Sequence, residues 1–335
     1  MRVATLHMLA ALAASVFFAL AAPASAAEKG VMPDLTWGIS QSEFAPTQAA
    51  ISDIGAKWVR LEFRWYEGET ARGTYSSSTL AKWDQAVATS EAAGTQIIAM
   101  VHRAPKWASG QNNTYAPPLN NADYANFMSF LVNRYGTRVA AWEIWNEPNG
   151  TRFWPTGPNP AAYVDLLRAG HDAVKQANPA ALVVFGGLVQ NDYSFVEGAY
   201  AAGAKGYFDV MNVHPYPGAM PPEEVWHQDG RITPGSFTGY REVRASMLAN
   251  GDDKPIWFTE FGWSTTTTSG WGVTPEQQAD YLRRAYCMLE QDPYVGVAVW
   301  YNLRNNHWDD DADQWETQLG LMKTTFERKP SYDAY

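Results

Sequence analysis

The sequence predicts a single-domain α/β fold, a closed (β/α)8 TIM barrel, and three observations carry that expectation. Short apolar segments recur along the chain, each followed by a stretch of helical period and then a Gly or Pro stop. Eight such segments can be marked, the number a closed barrel uses. None is followed by the Gly-x-Gly-x-x-Gly or Gly-x-x-x-x-Gly-Lys turn that marks the open, doubly wound alternative.

Taken in order, residues 1–27 carry Arg2, an apolar run over 6–22 and the small-residue stretch Pro23-Ala24-Ser25-Ala26-Ala27. That is the pattern of a secretory signal peptide, cleaved near Ala26. The run is short for a bilayer span and no charge cluster stops it, so no membrane attachment of the mature chain is expected. The barrel is then expected over 28–335. Its strands are predicted at 35–40, 58–63, 96–101, 140–145, 181–186, 210–213, 256–259 and 297–301, each a short run rich in β-branched, aromatic or other apolar residues. Helices are predicted at 78–93, 121–135, 160–176, 193–202, 238–249 and 275–290. Thr274-Pro275-Glu276 reads as a cap and first turn, and Gly94 and Gly251 as stops after a last turn. Residues 320–335 read as a closing loop and last helix, with no repeat, linker or added module along the way.

Composition narrows the partners. The chain has 25 basic and 35 acidic side chains, a formal charge of −10, and loss of Arg2 with the leader makes it one unit more negative. Nucleic acid and polyanionic polysaccharides are poor partners for that field. Neutral sugars fit better, since 15 Trp and 17 Tyr supply flat apolar faces for sugar rings. The lone Cys287 lies in the helical stretch 281–289, offers neither a disulfide nor a lipidation site, and is expected to be a buried small apolar residue. Asn112 and Asn149 begin Asn-x-Thr sequons, but a glycan on Asn149 would crowd Glu147, which points to a source that does not N-glycosylate.

In such barrels the chemistry sits at the carboxyl ends of the strands. Those ends carry Arg60, His102, Asn146 with Glu147, His214 with Tyr216, Glu260, and Trp300. Glu147 and Glu260 each stand alone at the end of an aromatic, apolar run. Two isolated carboxyls in one pocket suit glycosidic bond cleavage: one protonates the departing oxygen while the other attacks the anomeric carbon. Glu147 is read as the acid and later the base, and Glu260 as the nucleophile. Asn146 is placed to hydrogen-bond the sugar 2-hydroxyl. Tyr216 and Arg60 can keep the nucleophile ionised. His102 would hold a hydroxyl and His214 would tune the acid.

Other residues have plainer readings. Glu143 is expected to pair with a buried cation such as Arg60, and Glu62 and Asp209 to be structural. Trp37, Trp107 and Trp263 lie near strand ends, where they stack on sugar or pack in the core. Asp309, Asp311 and Asp313 have a calcium-like spacing, yet Gln314 and Gly320 stand where an EF-hand needs Gly and Glu, so no metal is expected. No His-Glu-x-x-His, Cys pair or Gly-x-Ser-x-Gly is present, and no cofactor is expected.

On these residues the chain resembles glycoside hydrolase clan A, the retaining β-glycosidase barrels with the acid/base after strand 4 and the nucleophile after strand 7. Asn146-Glu147-Pro148 with the preceding Trp142-Glu143-Ile144-Trp145, His214-Pro215-Tyr216, Thr259-Glu260-Phe261-Gly262 and Trp300 carry the resemblance. The set of Arg60, His102, Asn146, Glu147, His214, Tyr216, Glu260 and Trp300 is similar to the site pattern of family 5, while the wording around Glu147 leans toward family 39. The resemblance implies a secreted retaining glycoside hydrolase, monomeric, acting on a β-linked neutral poly- or oligosaccharide. Length without accessory modules favours internal cleavage. The alternatives are an exo enzyme such as a β-xylosidase or α-L-arabinofuranosidase, and a catalytically silent carbohydrate-binding barrel.

Overall fold

A computed structural model describes residues 27–306 and 313–335. The predicted leader at 1–27, all but its last residue, and the acidic residues Asp309, Asp310 and Asp311 lie outside the described residues. The barrel strands are β1 (Glu28–Val31), β2 (Trp58–Arg64), β3 (Gln96–His102), β4 (Ala141–Ile144), β5 (Leu182–Phe185), β6 (Met211–His214), β7 (Ile256–Phe261) and β8 (Val295–Trp300). They pair in parallel in the order β5-β4-β3-β2-β1-β8-β7-β6. The ring closes between β5 and β6 through the parallel Val184–Val210 bridge, the Phe185 N–H donating to Val210 O at 2.9 Å. Leu188–Val189, just past β5, pairs with Val213 and His214 and extends that seam toward the mouth.

The first strand differs from expectation. Residues 35–40 form turns, and the strand lies upstream at Glu28–Val31. Asp34 (φ 50°) and Gly38 (φ 62°) adopt left-handed backbone that no strand can hold, so the apolar alternation there serves a packed loop with Leu35 and Ile39 buried. Gly30 lets β1 fit tightly between its neighbours: a Cβ there would come within 2.9 Å of Val299 Cγ2 and 3.0 Å of Trp58 Cβ. A strand built on Glu-Lys-Gly-Val carries little apolar signal.

Alternation along the strands sorts the two cores. Val59, Leu61 and Phe63 of β2, with Ile97, Ala99 and Val101 of β3, face the helices. Trp58, Ile98, Ala141, Val184, Val210, Trp257, Val297 and Val299 fill the barrel's floor, where the Trp58 and Trp257 rings meet at 5.0 Å. Above this apolar layer the inward positions turn polar: Arg60, Glu143, Asn212 and Thr259, all fully buried.

Among the described residues, eight α-helices of five residues or more surround the strands: α1 (Phe44–Asp53), α2 (Ser77–Ala92), α3 (Asn121–Tyr135), α4 (Pro160–Ala177), α5 (Tyr193–Ala201), α6 (Tyr240–Ala249), α7 (Pro275–Leu289) and α8 (Pro330–Ala334). Side chains of Ser76, Asn120, Asn159, Asp192 and Thr274 cap α2, α3, α4, α5 and α7, accepting from first-turn N–H groups that have no intrahelical partner. Helix α1 has no counterpart in the sequence expectation; its Pro46 sits in the first turn, where a missing N–H is harmless. Cys287 is exposed rather than buried. In α7 the buried stripe is Tyr281, Leu282, Ala285, Tyr286 and Leu289, and helical spacing puts Cys287 on the opposite side.

Candidate active site

The polar layer is organised by one guanidinium. Arg60 Nε donates to Glu143 Oε2 at 2.8 Å and Nη2 to Glu143 Oε1 at 2.9 Å, while Nη2 also donates to Asn146 Oδ1 at 2.8 Å and Nη1 to Glu260 Oε1. Arg60 and Glu143 are wholly buried, so the pairing read from the sequence holds. Glu260 caps β7 and receives a second donor, the Tyr216 hydroxyl, at 2.7 Å. Burial alone would raise its carboxyl. The charges of His214 and Arg60, with the hydrogen bonds from Tyr216 and Arg60, outweigh burial and hold it below the ordinary range.

Glu147 is positioned by an unusual stretch of backbone after β4. Trp145 (φ 70°) and Glu147 (φ 45°) both enter the left-handed region, a conformation costing of order 1–3 kcal/mol per residue that persists only where surroundings fix it. The sequence suggested extended backbone at Glu147, because Pro148 follows. Its N–H instead donates to Gly187 O at 2.8 Å and its carbonyl accepts from Gly150 at 2.9 Å, which hold the turn. The carboxyl meets His214, whose Nδ1 lies 3.2 Å from Glu147 Oε1 and 3.8 Å from Glu260 Oε2. Burial raises the Glu147 carboxyl and the negative Glu260 adds to that, against the pull of His214 and Arg60, so the net direction is upward. One carboxylate oxygen of each glutamate and a His214 nitrogen all lie within 4.8 Å of one another.

Three residues that the sequence reading passed over hold His214. Thr259 Oγ1 is 2.8 Å from His214 Nε2 and accepts from Asn212 Nδ2 at 2.7 Å. Thr259 thus braces Nε2 and leaves Nδ1 facing the two carboxyls. Gly187 is the third: any Cβ there would overlap the His214 imidazole, and its N–H donates to Glu143 Oε1 at 3.2 Å. A Gly-Gly pair after a strand was the available signal.

A cavity of about 870 Å³ opens over these groups. His102, Asn146, Glu147, Tyr216, Glu260 and Trp37 line it, whereas Arg60 and His214 act from beneath. His102 Nε2 is 2.6 Å from Glu62, and burial pushes the imidazole down to about 4, so the neutral ring puts its proton on Nε2 and leaves Nδ1 as an acceptor. Glu62 also binds Arg64, whose guanidinium lies 3.9 Å from the Trp37 ring centroid. Three predicted tryptophans lie elsewhere. Trp300 and Trp263 are fully buried and stacked at 6.2 Å between strands and helices, and Trp107 packs against Trp65 and donates to Glu69 O. Alternation explains Trp300: Val297 and Val299 point inward, so Trp300 points out and Tyr301 reaches the cavity. Tyr115, Phe153 and Trp315 complete the aromatic wall.

Glu147, His214 and Glu260 are also the described residues that could offer three ligands to a cation. Arg60 already bonds Glu260 and supplies positive charge at that point.

Residues 25–306 match the family described as cellulase (glycosyl hydrolase family 5). The chain belongs to glycosyl hydrolase family 5. Its solved neighbours lie in the same clan A. It superposes on a family 39 glycoside hydrolase from Bacteroides cellulosilyticus WH2 with a TM-score of 0.76 and 26% identity, over 92% of this chain and 62% of that one. A β-xylosidase from Caulobacter crescentus CB15 shares the fold (TM-score 0.68, 18% identity, 92% and 67% covered). So does xylanase 10B from Thermotoga maritima (TM-score 0.63, 14% identity, 91% and 92% covered). In sequence, the chain is 24% identical over 235 residues to endo-1,4-beta-xylanase A of Phanerodontia chrysosporium, covering 68% of this chain and 54% of that protein. It thus spans about half the length of that relative. This family 5 member is built on a (β/α)8 barrel.

Proposed function

We propose that the chain is a secreted, retaining glycosidase that cleaves a β-linked neutral glycan by double displacement. The observation that carries the reading is the carboxyl pair: oxygens of Glu147 and Glu260 within 4.8 Å, their proton affinities pushed in opposite directions. Retaining enzymes hold their carboxyls about 5 Å apart, whereas inversion leaves roughly 6.5–9.5 Å for a water. Protonated Glu147 gives its proton to the glycosidic oxygen as Glu260 attacks the anomeric carbon and the leaving group departs. Water then attacks that carbon, Glu147 takes its proton, and Glu260 is released as carboxylate. Asn146 has its Oδ1 held by Arg60, which leaves its amide N–H groups for the sugar 2-hydroxyl. A pure binder has no use for two acids of opposed protonation.

The named activities of two relatives, a xylanase and a β-xylosidase, make xylosides the first substrates to try. The signal-like sequence of residues 1–27 supports export, and no described helix is long and apolar enough to cross a membrane. The test is kinetic. On a panel of aryl β-glycosides, Glu260→Ala should lose at least about 10⁴-fold in kcat, and Glu147→Gln about 10²–10⁴-fold on substrates with poor leaving groups. Unchanged turnover in both variants, or an inverted anomeric product by NMR, would defeat the reading.

A further inference from the structure

In an eight-strand ring, β4 and β8 stand opposite each other, four places apart by either route. The loops that follow them are joined. Arg152, after β4, donates through Nη1 to Glu316 Oε1 at 2.8 Å and Oε2 at 3.0 Å, after β8, and both residues line the cavity. The contact therefore ties together loops that rise from opposite strands, in the wall of the cavity that Glu147 and Glu260 also line. Aromatic rings brace it on both sides. The Arg152 guanidinium lies 5.4 Å from the Phe153 ring centroid and 5.8 Å from that of Tyr115, and those two rings meet edge-on at 4.9 Å. Beside Glu316, Trp315 meets Tyr216 edge-on at 5.1 Å. The Glu316 end is anchored from below, since Asn306 Nδ2 donates to Glu316 O at 3.0 Å and the buried Lys329 Nζ donates to Gln318 O at 3.0 Å.

We infer that the Arg152–Glu316 bridge makes this site a pocket for the end of a glycan chain, so that hydrolysis starts from an end and not from internal bonds. The inference rests on the glycosidase reading above and replaces the internal cleavage expected from chain length. A polymer entering from the side would have to thread beneath the bridge, whereas a chain end needs only to enter the pocket. The pair is half-exposed at each partner, so it excludes by occupying the path more than by adding stability.

The experiment compares the wild type with Arg152→Ala, Glu316→Ala and the exchange pair Arg152→Glu with Glu316→Arg. The substrates are soluble xylan and reduced xylo-oligosaccharides, or glucomannan and its oligomers if the aryl-glycoside panel selects a mannoside. The wild type should release a single small sugar first and lower viscosity slowly. Each alanine variant should yield internal fragments and raise viscosity loss per bond cut severalfold, and the exchange pair should restore the wild-type pattern. Internal fragments from the wild type at the outset, or product patterns unmoved by either alanine, would overturn the bridge's role. Aryl-glycoside hydrolysis reads the underlying function separately: if Glu260→Ala leaves it intact, the glycosidase reading itself fails.

Discussion

Arg60 is bound to Glu143, Asn146 and Glu260 at once, and that arrangement separates the two candidate catalytic carboxyls. Its charge reaches Glu260 through a direct bond but reaches Glu147 only at a distance, so the first is held low while burial keeps the second high. Activity needs Glu260 ionised and Glu147 protonated. The rate should therefore fall on the acid side as Glu260 takes up a proton and on the alkaline side as Glu147 loses one, giving a bell in kcat/KM. Measured pH profiles in which either limb is missing would contradict this assignment. At this scale the sequence was informative about charged residues at strand ends, because few other reasons place Glu after Trp-Asn or Thr. It was silent about Thr259 and Asn212, whose importance lies in holding His214 by hydrogen bonds that no spacing reveals.

The strand-to-loop junctions after β4 and β5 act as one element. Gly187 touches His214, donates to Glu143 and accepts from Glu147, so a methyl group there disturbs three positions together. Gly187→Ala should cost about 1–3 kcal/mol of stability through overpacking and push His214 away from Glu147. Since His214 lowers the Glu147 carboxyl, its displacement should move the alkaline limb of the pH profile upward. A variant that folds, by near-UV circular dichroism, with that limb unmoved would show that His214 does not depend on the glycine. Strands β2 to β8 were legible because their outward faces are apolar and continuous. Strand β1 was not, since Glu28–Val31 presents mainly a glycine that neighbours need and a glutamate whose Oε2 accepts from Trp58 Nε1 at 2.6 Å. Trp300 misled for a related reason: a one-residue step in a strand exchanges the two faces, and Tyr301 is the residue that looks inward.

At the scale of the whole molecule, pH acts on stability through groups away from the chemistry. Asp34, in the turn after β1, accepts from Asn302 Nδ2 at 3.1 Å while its Oδ1 has no partner. Burial and then the nearby Glu62 push its carboxyl up to about 7. An acid whose affinity for its proton is higher in the folded state stabilises most at low pH, and that contribution is lost as pH rises from about 4 through about 7. Asp34→Asn should therefore match the wild type near pH 4 and exceed it in urea midpoint above about 7, with the gap opening between those values. An unchanged gap across that range would mean that Asp34 is ionised throughout.

The upstream position of β1 also bears on where the chain can be shortened. A boundary chosen just before Leu35 would seem harmless from apolar patterning, yet it would remove the stave between β2 and β8. Two unpaired strand edges would then face each other across the gap, open to a strand from another molecule. The N-terminal limit of a stable barrel thus lies at Glu28.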